Sequence, residues 1–296
     1  MKKLLLFSLI ALIFSSCASK KVLYVTHEPG KYHKYGPQKD IFIDVAKKEG
    51  WELTISSGEH DPQIVELRDE KLLQGYDAIV YNFCFAHSND LEAAANIISQ
   101  TRDKGTPAMV IHCAMHSFWS TFKFGEKGAL GENYKGQALA DPKLVAEWNT
   151  KFPNKPFPVW GDFTGIASTQ HGPKSPIKIE KCCAHEATKS LSDTGYLTTN
   201  AELYNNFYVL DDVQPLLKGT QEQLPKPIAK KIAKGIKLTA AEKAIQAKTT
   251  TSTLMWLSPQ GKSQVMGLTI GHDLAEWQQA EFQLLLKDGV NFLLND

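Results

Sequence analysis

The chain has 296 residues, of which 43% are hydrophobic, so it can bury a full core. With 33 Lys and Arg against 32 Asp and Glu the formal net charge is +1, which argues against a nucleic-acid-binding surface. The length suits one α/β domain with insertions, and five cysteines are too few and too scattered for a small disulfide scaffold.

Residues 1–17, M-K-K-L-L-L-F-S-L-I-A-L-I-F-S-S-C, carry two lysines, an apolar run from Leu4 to Phe14, small residues and Cys17. That is the order of an export signal, and the run is shorter than the roughly 20 residues a spanning helix needs. F-S-S-C resembles a bacterial lipobox, with Phe14 where leucine is usual. Cleavage before Cys17 would expose that residue for acylation. The expected organisation is a signal peptide over 1–16, a lipidated tether over 17–20 and one domain over 21–296. Such a chain is exported and held on a membrane by its N-terminal lipid, on the periplasmic or cell-surface face. No later stretch is apolar enough to span. The remaining cysteines, Cys84, Cys113, Cys182 and Cys183, are expected to be mostly buried free thiols.

Lys21 to Thr26 is a short apolar run that predicts a first strand. A loop rich in His, Gly and Pro follows. From Gln38 to Glu49 the apolar residues Ile41, Phe42, Val45 and Ala46 recur at helical spacing, and Gly50 closes the helix. Glu52 to Ser56 and Tyr76 to Asn82 read as strands, Leu91 to Lys104 as a helix closed by Gly105, and Ala108 to His112 as a fourth strand. Strict alternation of strand and helix predicts a parallel sheet covered on both faces. Further on, the pattern predicts a short helix near 141–150, a strand within Ser175 to Glu180 and another near Ala201 to Tyr204. From Leu216 to Thr250 the composition turns lysine-rich without an aromatic residue, and a solvated helical insertion is expected. A hairpin spans Leu254 to Thr269 around Pro259-Gln260-Gly261. Gly271-His272-Asp273 follows, and a helix from Trp277 to Leu294 closes the chain.

In open α/β sheets, ligands bind beyond the carboxyl ends of the strands. His27, Asn82, His112 and His116 stand at those ends, on different loops. Their convergence on one edge predicts a site there.

Four segments carry a family resemblance. They are V-T-H-E-P-G-K-Y-H at 25–33, I-H-C-A-M-H-S-F-W at 111–119, H-E-A-T-K-S-L at 185–191 with A-E-L-Y at 201–204, and G-L-T-I-G-H-D-L-A-E-W at 267–277. In order and spacing they resemble the ThuA-like (trehalose utilisation) family over residues 20–296. The resemblance implies an α/β fold with a flavodoxin-like core, similar to class I glutamine amidotransferases: a parallel sheet flanked by helices, here with a helical insertion. It also implies a part in the breakdown of carbohydrate, notably trehalose and keto-sugars derived from glycosides.

Three chemistries compete for the central motif. The amidotransferase elbow, G-x-C-x-G, has lost both glycines in Ile111-His112-Cys113-Ala114-Met115, and bulky Ile111 and Met115 oppose its strained turn. Cys113 is therefore expected to be a buried residue, and a cysteine amidotransferase is not expected. For a metal, His112 and His116 are too few alone, and His27, His33, Glu202, His272 or Asp273 would complete a set. The cofactor expectation is none, with a divalent metal as the alternative. The leading expectation is acid–base chemistry on a glycoside or keto-sugar, as a hydrolase, lyase or isomerase. It places His112 and His272 as base or acid and Glu202 or Asp273 as the partner carboxylate. His27, His33, Asn82, His116, Trp119 and Tyr204 would bind the sugar, the aromatic rings by packing on its apolar side. The alternative is a non-catalytic carbohydrate-binding lipoprotein. A homo-oligomer is compatible with either.

Overall fold

A computed structural model of the chain describes residues 19–118 and 140–295. Its first half comprises β1 (Lys21–His27), α1 (Tyr35–Glu49), β2 (Glu52–Gly58), α2 (His60–Glu66), β3 (Ala78–Tyr81), α3 (Leu91–Arg102) and β4 (Ala108–Ile111). After it come α4 (Pro142–Lys151), α5 (Trp160–Thr164), β5 (Ile166–Ala167), β6 (His171–Ser175), β7 (Lys178–Lys181), β8 (Tyr196–Leu197), β9 (Ala201–Tyr204) and β10 (Tyr208–Val209). The last part holds β11 (Gln214–Gln223), α6 (Lys226–Ala233), α7 (Ala240–Lys243), β12 (Lys248–Gln260), β13 (Ser263–Leu268), α8 (Leu274–Trp277) and α9 (Ala280–Asn295).

Among the described residues, one nine-stranded sheet runs in the order β2-β1-β3-β4-β13-β12-β11-β7-β8. The stretch from β2 to β13 is parallel, as the strand-helix alternation predicts. β1 shows why: Val22 and Tyr24 face one hydrophobic layer and Leu23 and Val25 the other, and all four are fully buried. The first layer is completed by α1 and α9, through Phe42, Val45, Leu285 and Val290. The second is completed by α2, α3 and α5, through Ile64, Ile97, Trp160 and Phe163. Each such large side chain contributes on the order of 1.5–3 kcal/mol by leaving water.

From β13 onward the sheet is antiparallel, beginning with the hairpin expected over Leu254 to Thr269 and continuing through β11, β7 and β8. The physical reason is the connection. β12 and β13 are joined by a tight turn at Gly261, with φ of 55°, and a turn this short can only return the chain antiparallel.

The lysine-rich segment requires a correction. Residues 214–223 form strand β11, registered on β12 from Gln214 opposite Leu257 to Gln223 opposite Lys248, and helix is confined to α6 and α7. Polar residues hid a period of two: Leu217, Gly219 and Gln221 are buried while Lys218 and Glu222 face water. Among the described residues, no helix is long and apolar enough to cross a membrane.

Candidate functional site

The site is assembled where β4, β9 and β13 end. β4 stops at Ile111, and His112 turns the chain into a short helical turn with φ of 48°, a left-handed conformation that costs a non-glycine residue on the order of 1–2 kcal/mol. The strained elbow that the missing glycines argued against is therefore present, but the strain falls on His112 and not on Cys113. The bend swings the buried imidazole under β13, where its Nδ1 lies 2.6 Å from the carbonyl oxygen of Thr269. A carbonyl can only accept, so Nδ1 carries the proton and Nε2 presents a lone pair.

Around that lone pair stand three groups. His272 Nδ1 is 3.2 Å away, the Tyr204 hydroxyl 3.2 Å and Glu202 Oε2 3.7 Å. Glu202 Oε2 is also 3.2 Å from His272 Nδ1. Glu202 and Tyr204 share a face of β9 because side chains two apart on a strand point the same way. His272 is set by Gly271, whose φ of 117° excludes most side chains and whose carbonyl accepts from Trp277 Nε1 at 2.9 Å. His33, from the loop before α1, brings its ring centroid to 5.0 Å from that of His112 and 4.7 Å from that of His272. A cavity of about 350 Å³ opens onto His33, Glu202, Tyr204, His272, His116 and the exposed ring of Tyr32. Two larger cavities of about 590 Å³ lie around α3 and α4, but their walls mix apolar side chains such as Trp148 and Phe152 with ion pairs such as Arg68 with Asp90, and no lining residue is a buried histidine or carboxylate. Chemistry, not volume, selects the first.

Burial governs the electrostatics. It pushes the His112 imidazole well below its ordinary value, helped by His33 and His272. It brings His33 down to about 4 and His116 down to about 3. At neutral pH these rings are uncharged and have lone pairs to offer. Burial alone would raise the Glu202 carboxyl, but the hydrogen bond from His272 and the charges of His171, His272 and Lys174 outweigh it and hold the group below the usual carboxylate value. Burial raises Tyr204 well above the ordinary phenol, so its hydroxyl is a proton donor.

The predicted residues divide. His33, His112, His116, Glu202, Tyr204 and His272 come together, with the His116 ring stacked on Tyr204 at 4.2 Å between centroids. Asn82 does not reach the cavity: its side chain donates to the Tyr24 hydroxyl at 2.7 Å and to Gln38 Oε1 at 3.0 Å. His27 packs among Tyr35, His60 and Phe85, where Nε2 accepts from the Cys84 amide at 3.4 Å. Asp273 is part-exposed and caps α8, with Glu276 returning the bond to the Asp273 amide. Trp119 and Cys17 lie outside the described residues.

The expectation of buried free thiols is corrected: Cys84 and Cys113, at the ends of neighbouring strands β3 and β4, form a disulfide with Cα atoms 5.1 Å apart, and Cys182 and Cys183 are exposed. The pairing is across the sheet and has no signature along the chain. Sequence reasoning also missed His171 and Lys174, which come from β6 alongside β9. His171 Nδ1 sits 3.6 Å from Glu202 Oε1. It missed Gln38 too, whose Nε2 donates to the carbonyls of Gly271 and His272 at 3.2 and 3.3 Å. For Glu276 a signal was there to read, since D-L-A-E is a capping-box pattern.

The family model for trehalose utilisation, ThuA, matches residues 21–293. The chain belongs to the ThuA family. The family's description gives it a carbohydrate-related role. The fold is similar to the crystal structures of two ThuA-like proteins. For one, from Bacteroides uniformis ATCC 8492, the TM-score is 0.57 at 15% identity, covering 93% of this chain and 91% of that one. For the other, from Parabacteroides merdae ATCC 43184, the TM-score is 0.58 at 11% identity, covering 93% and 90%. No curated protein sequence matches the chain. At such identities the structural likeness concerns the fold alone, so the chemistry of a ThuA domain has to be argued from its cavity.

Proposed function

We propose that this ThuA-family chain is an exported, lipid-anchored protein that processes a glycoside or keto-sugar by acid–base chemistry. The observation that carries the reading is the chain of contacts Glu202–His272–His112, each step 3.2 Å, whose first two members line a cavity. Cleavage of a keto-glycoside needs a base to take the proton beside the carbonyl and an acid to protonate the departing glycosidic oxygen. Glu202, kept ionised by its neighbours, is suited to the first step. Tyr204, which keeps its proton, is suited to the second, and His112, whose Nε2 faces both the Tyr204 hydroxyl and His272 Nδ1, holds these groups in place. Tyr32, 58% exposed at the mouth, offers a ring face to the apolar side of a sugar. Asp273 is left out of the chemistry because its carboxylate is engaged at the helix cap.

The test is incubation with trehalose and with 3-keto-trehalose, read by NMR and mass spectrometry. Product from the keto-sugar, abolished in Glu202→Gln, is the expected result. Saturable binding of both sugars without product over hours would replace the enzyme with a binding protein. Anchoring rests on the F-S-S-C segment, and its check is whether Cys17→Ser moves the protein from the membrane to the soluble fraction.

A further inference from the structure

We infer that His33, His112 and His272, with Glu202 beside them, form a binding site for a divalent first-row metal ion of the zinc class. The inference rests on the proposed use of this cavity and deepens it: the imidazoles become ligands, and the proton work stays with Glu202 and Tyr204.

Geometry comes first. A tetrahedral ion with metal–nitrogen distances of about 2.0–2.1 Å holds its ligand atoms about 3.3–3.4 Å apart. The His112 Nε2 to His272 Nδ1 separation is 3.2 Å, with Glu202 Oε2 beside the pair, 3.2 Å from His272 Nδ1 and 3.7 Å from His112 Nε2. His33 joins this set, since one ring nitrogen from each of the three histidines falls within 4.8 Å of the other two. Hydrogen bonding accounts for the His112, His272 and Glu202 contacts, but it leaves His33 Nδ1 buried without a partner. Coordination through Nδ1 would give that nitrogen a partner as well.

The surroundings fit in the same way. Ligating imidazoles commonly have their second nitrogen fixed by an oxygen. His112 meets that rule, since its Nδ1 donates to the Thr269 carbonyl at 2.6 Å. Three imidazole nitrogens favour zinc and its first-row neighbours over magnesium or calcium, which take oxygen ligands. The cavity meets the set on its open side, where a water or a substrate oxygen would complete the coordination. A second grouping, His33 with Cys84 and Cys113, also lies close, but its sulfurs are joined in a disulfide and offer no thiolate.

The experiment uses the purified full chain, stripped with a chelator, dialysed and reloaded with Co²⁺ or Zn²⁺. Expected are about one tightly bound ion per chain by mass spectrometry of the metal and the visible absorption of a tetrahedral Co²⁺ ion with nitrogen and oxygen ligands. His112→Ala and His272→Ala should each weaken binding by at least about 100-fold, since loss of an outer-sphere partner alone costs 10- to 100-fold. Should either variant fail to fold, a rise in the melting temperature of the wild-type chain with Zn²⁺, reversed by the chelator, carries the test. Substoichiometric metal with no thermal shift would overturn the inference. An intense near-ultraviolet thiolate band would overturn it too, by moving the ion to Cys84 and Cys113. Metal bound without turnover of either sugar would leave this site standing and sink the proposed reaction. Turnover indifferent to the chelator would do the reverse.

Discussion

Two buried polar clusters lie side by side in this molecule, and they are built on opposite terms. In the first, Tyr24, Gln38 and Asn82 bond to one another, and Gln38 goes on to the carbonyls of Gly271 and His272. No member of it carries a charge. In the second, His33, His272 and Glu202 line a cavity with His112 buried behind them, and two imidazole nitrogens, His33 Nδ1 and His272 Nε2, are left without a hydrogen-bond partner. A saturated network rigidifies, whereas an unsaturated one beside an opening is available to a ligand. The difference separates scaffold from site more sharply than residue type does, since Asn82 and His27 stand at the same strand ends as the site residues and yet serve packing.

The strongest way to break this comparison is Glu202→Gln, which keeps shape and removes the carboxylate. If the second cluster handles protons, turnover of the keto-sugar falls by about 10²- to 10⁴-fold. Unfolding in urea should meanwhile move by less than about 1 kcal/mol. A variant retaining full turnover would remove Glu202 from the chemistry.

Next in size is acid sensitivity, which tests His27 as a packing residue at the strand ends. Burial, aided by His60 and opposed by the Pro29 carbonyl and Glu28, lowers His27 from its ordinary 6.5 to about 4. Between those values the unfolded chain binds a proton that the folded chain refuses, so stability is retained above pH 6.5 and declines as pH falls toward 4. The lowering corresponds to about 3 kcal/mol from this residue. In His27→Gln, the fall in stability between pH 6.5 and 4 should be shallower than in the wild type, as measured by urea midpoints. Equal slopes would mean that His27 is protonated in the fold.

Gln38→Leu addresses the scaffold itself. It strips two carbonyls and Asn82 of a partner, and the expected cost is about 2–3 kcal/mol, with kcat falling because the His272 loop loses its tether. An unchanged kcat in a destabilised protein would separate the two clusters functionally. The smallest effect is reserved for Gly271→Ala. At φ of 117° a Cβ would stand 3.1 Å from the Phe282 ring and 3.2 Å from Trp277 Nε1, and a loss of about 1–2 kcal/mol is expected. A melting temperature equal to wild type would show that the loop can relax.

What the amino-acid sequence determines by itself here is whatever is periodic and local. The run at β1, the helical spacing before Gly50, the alternation through β4 and the hairpin at Gly261 are legible because each segment must bury a face that its own spacing defines. Several site residues were legible for a related reason, since His112, His116 and His272 follow strands that end on one edge. Their assembly was decided only in three dimensions. β9 carries Glu202 and Tyr204 into the cavity, and β6 beside it carries His171 and Lys174 toward Glu202, by a pairing with irregular register that no spacing along the chain encodes. The Cys84–Cys113 bridge depends on β3 and β4 being neighbours, and the polar strand β11 on having β12 and β7 as partners. A strand's own spacing says which of its faces is buried. Only the folded sheet says which side chain from elsewhere will lie against that face, and the chemistry of this cavity is made of such contacts.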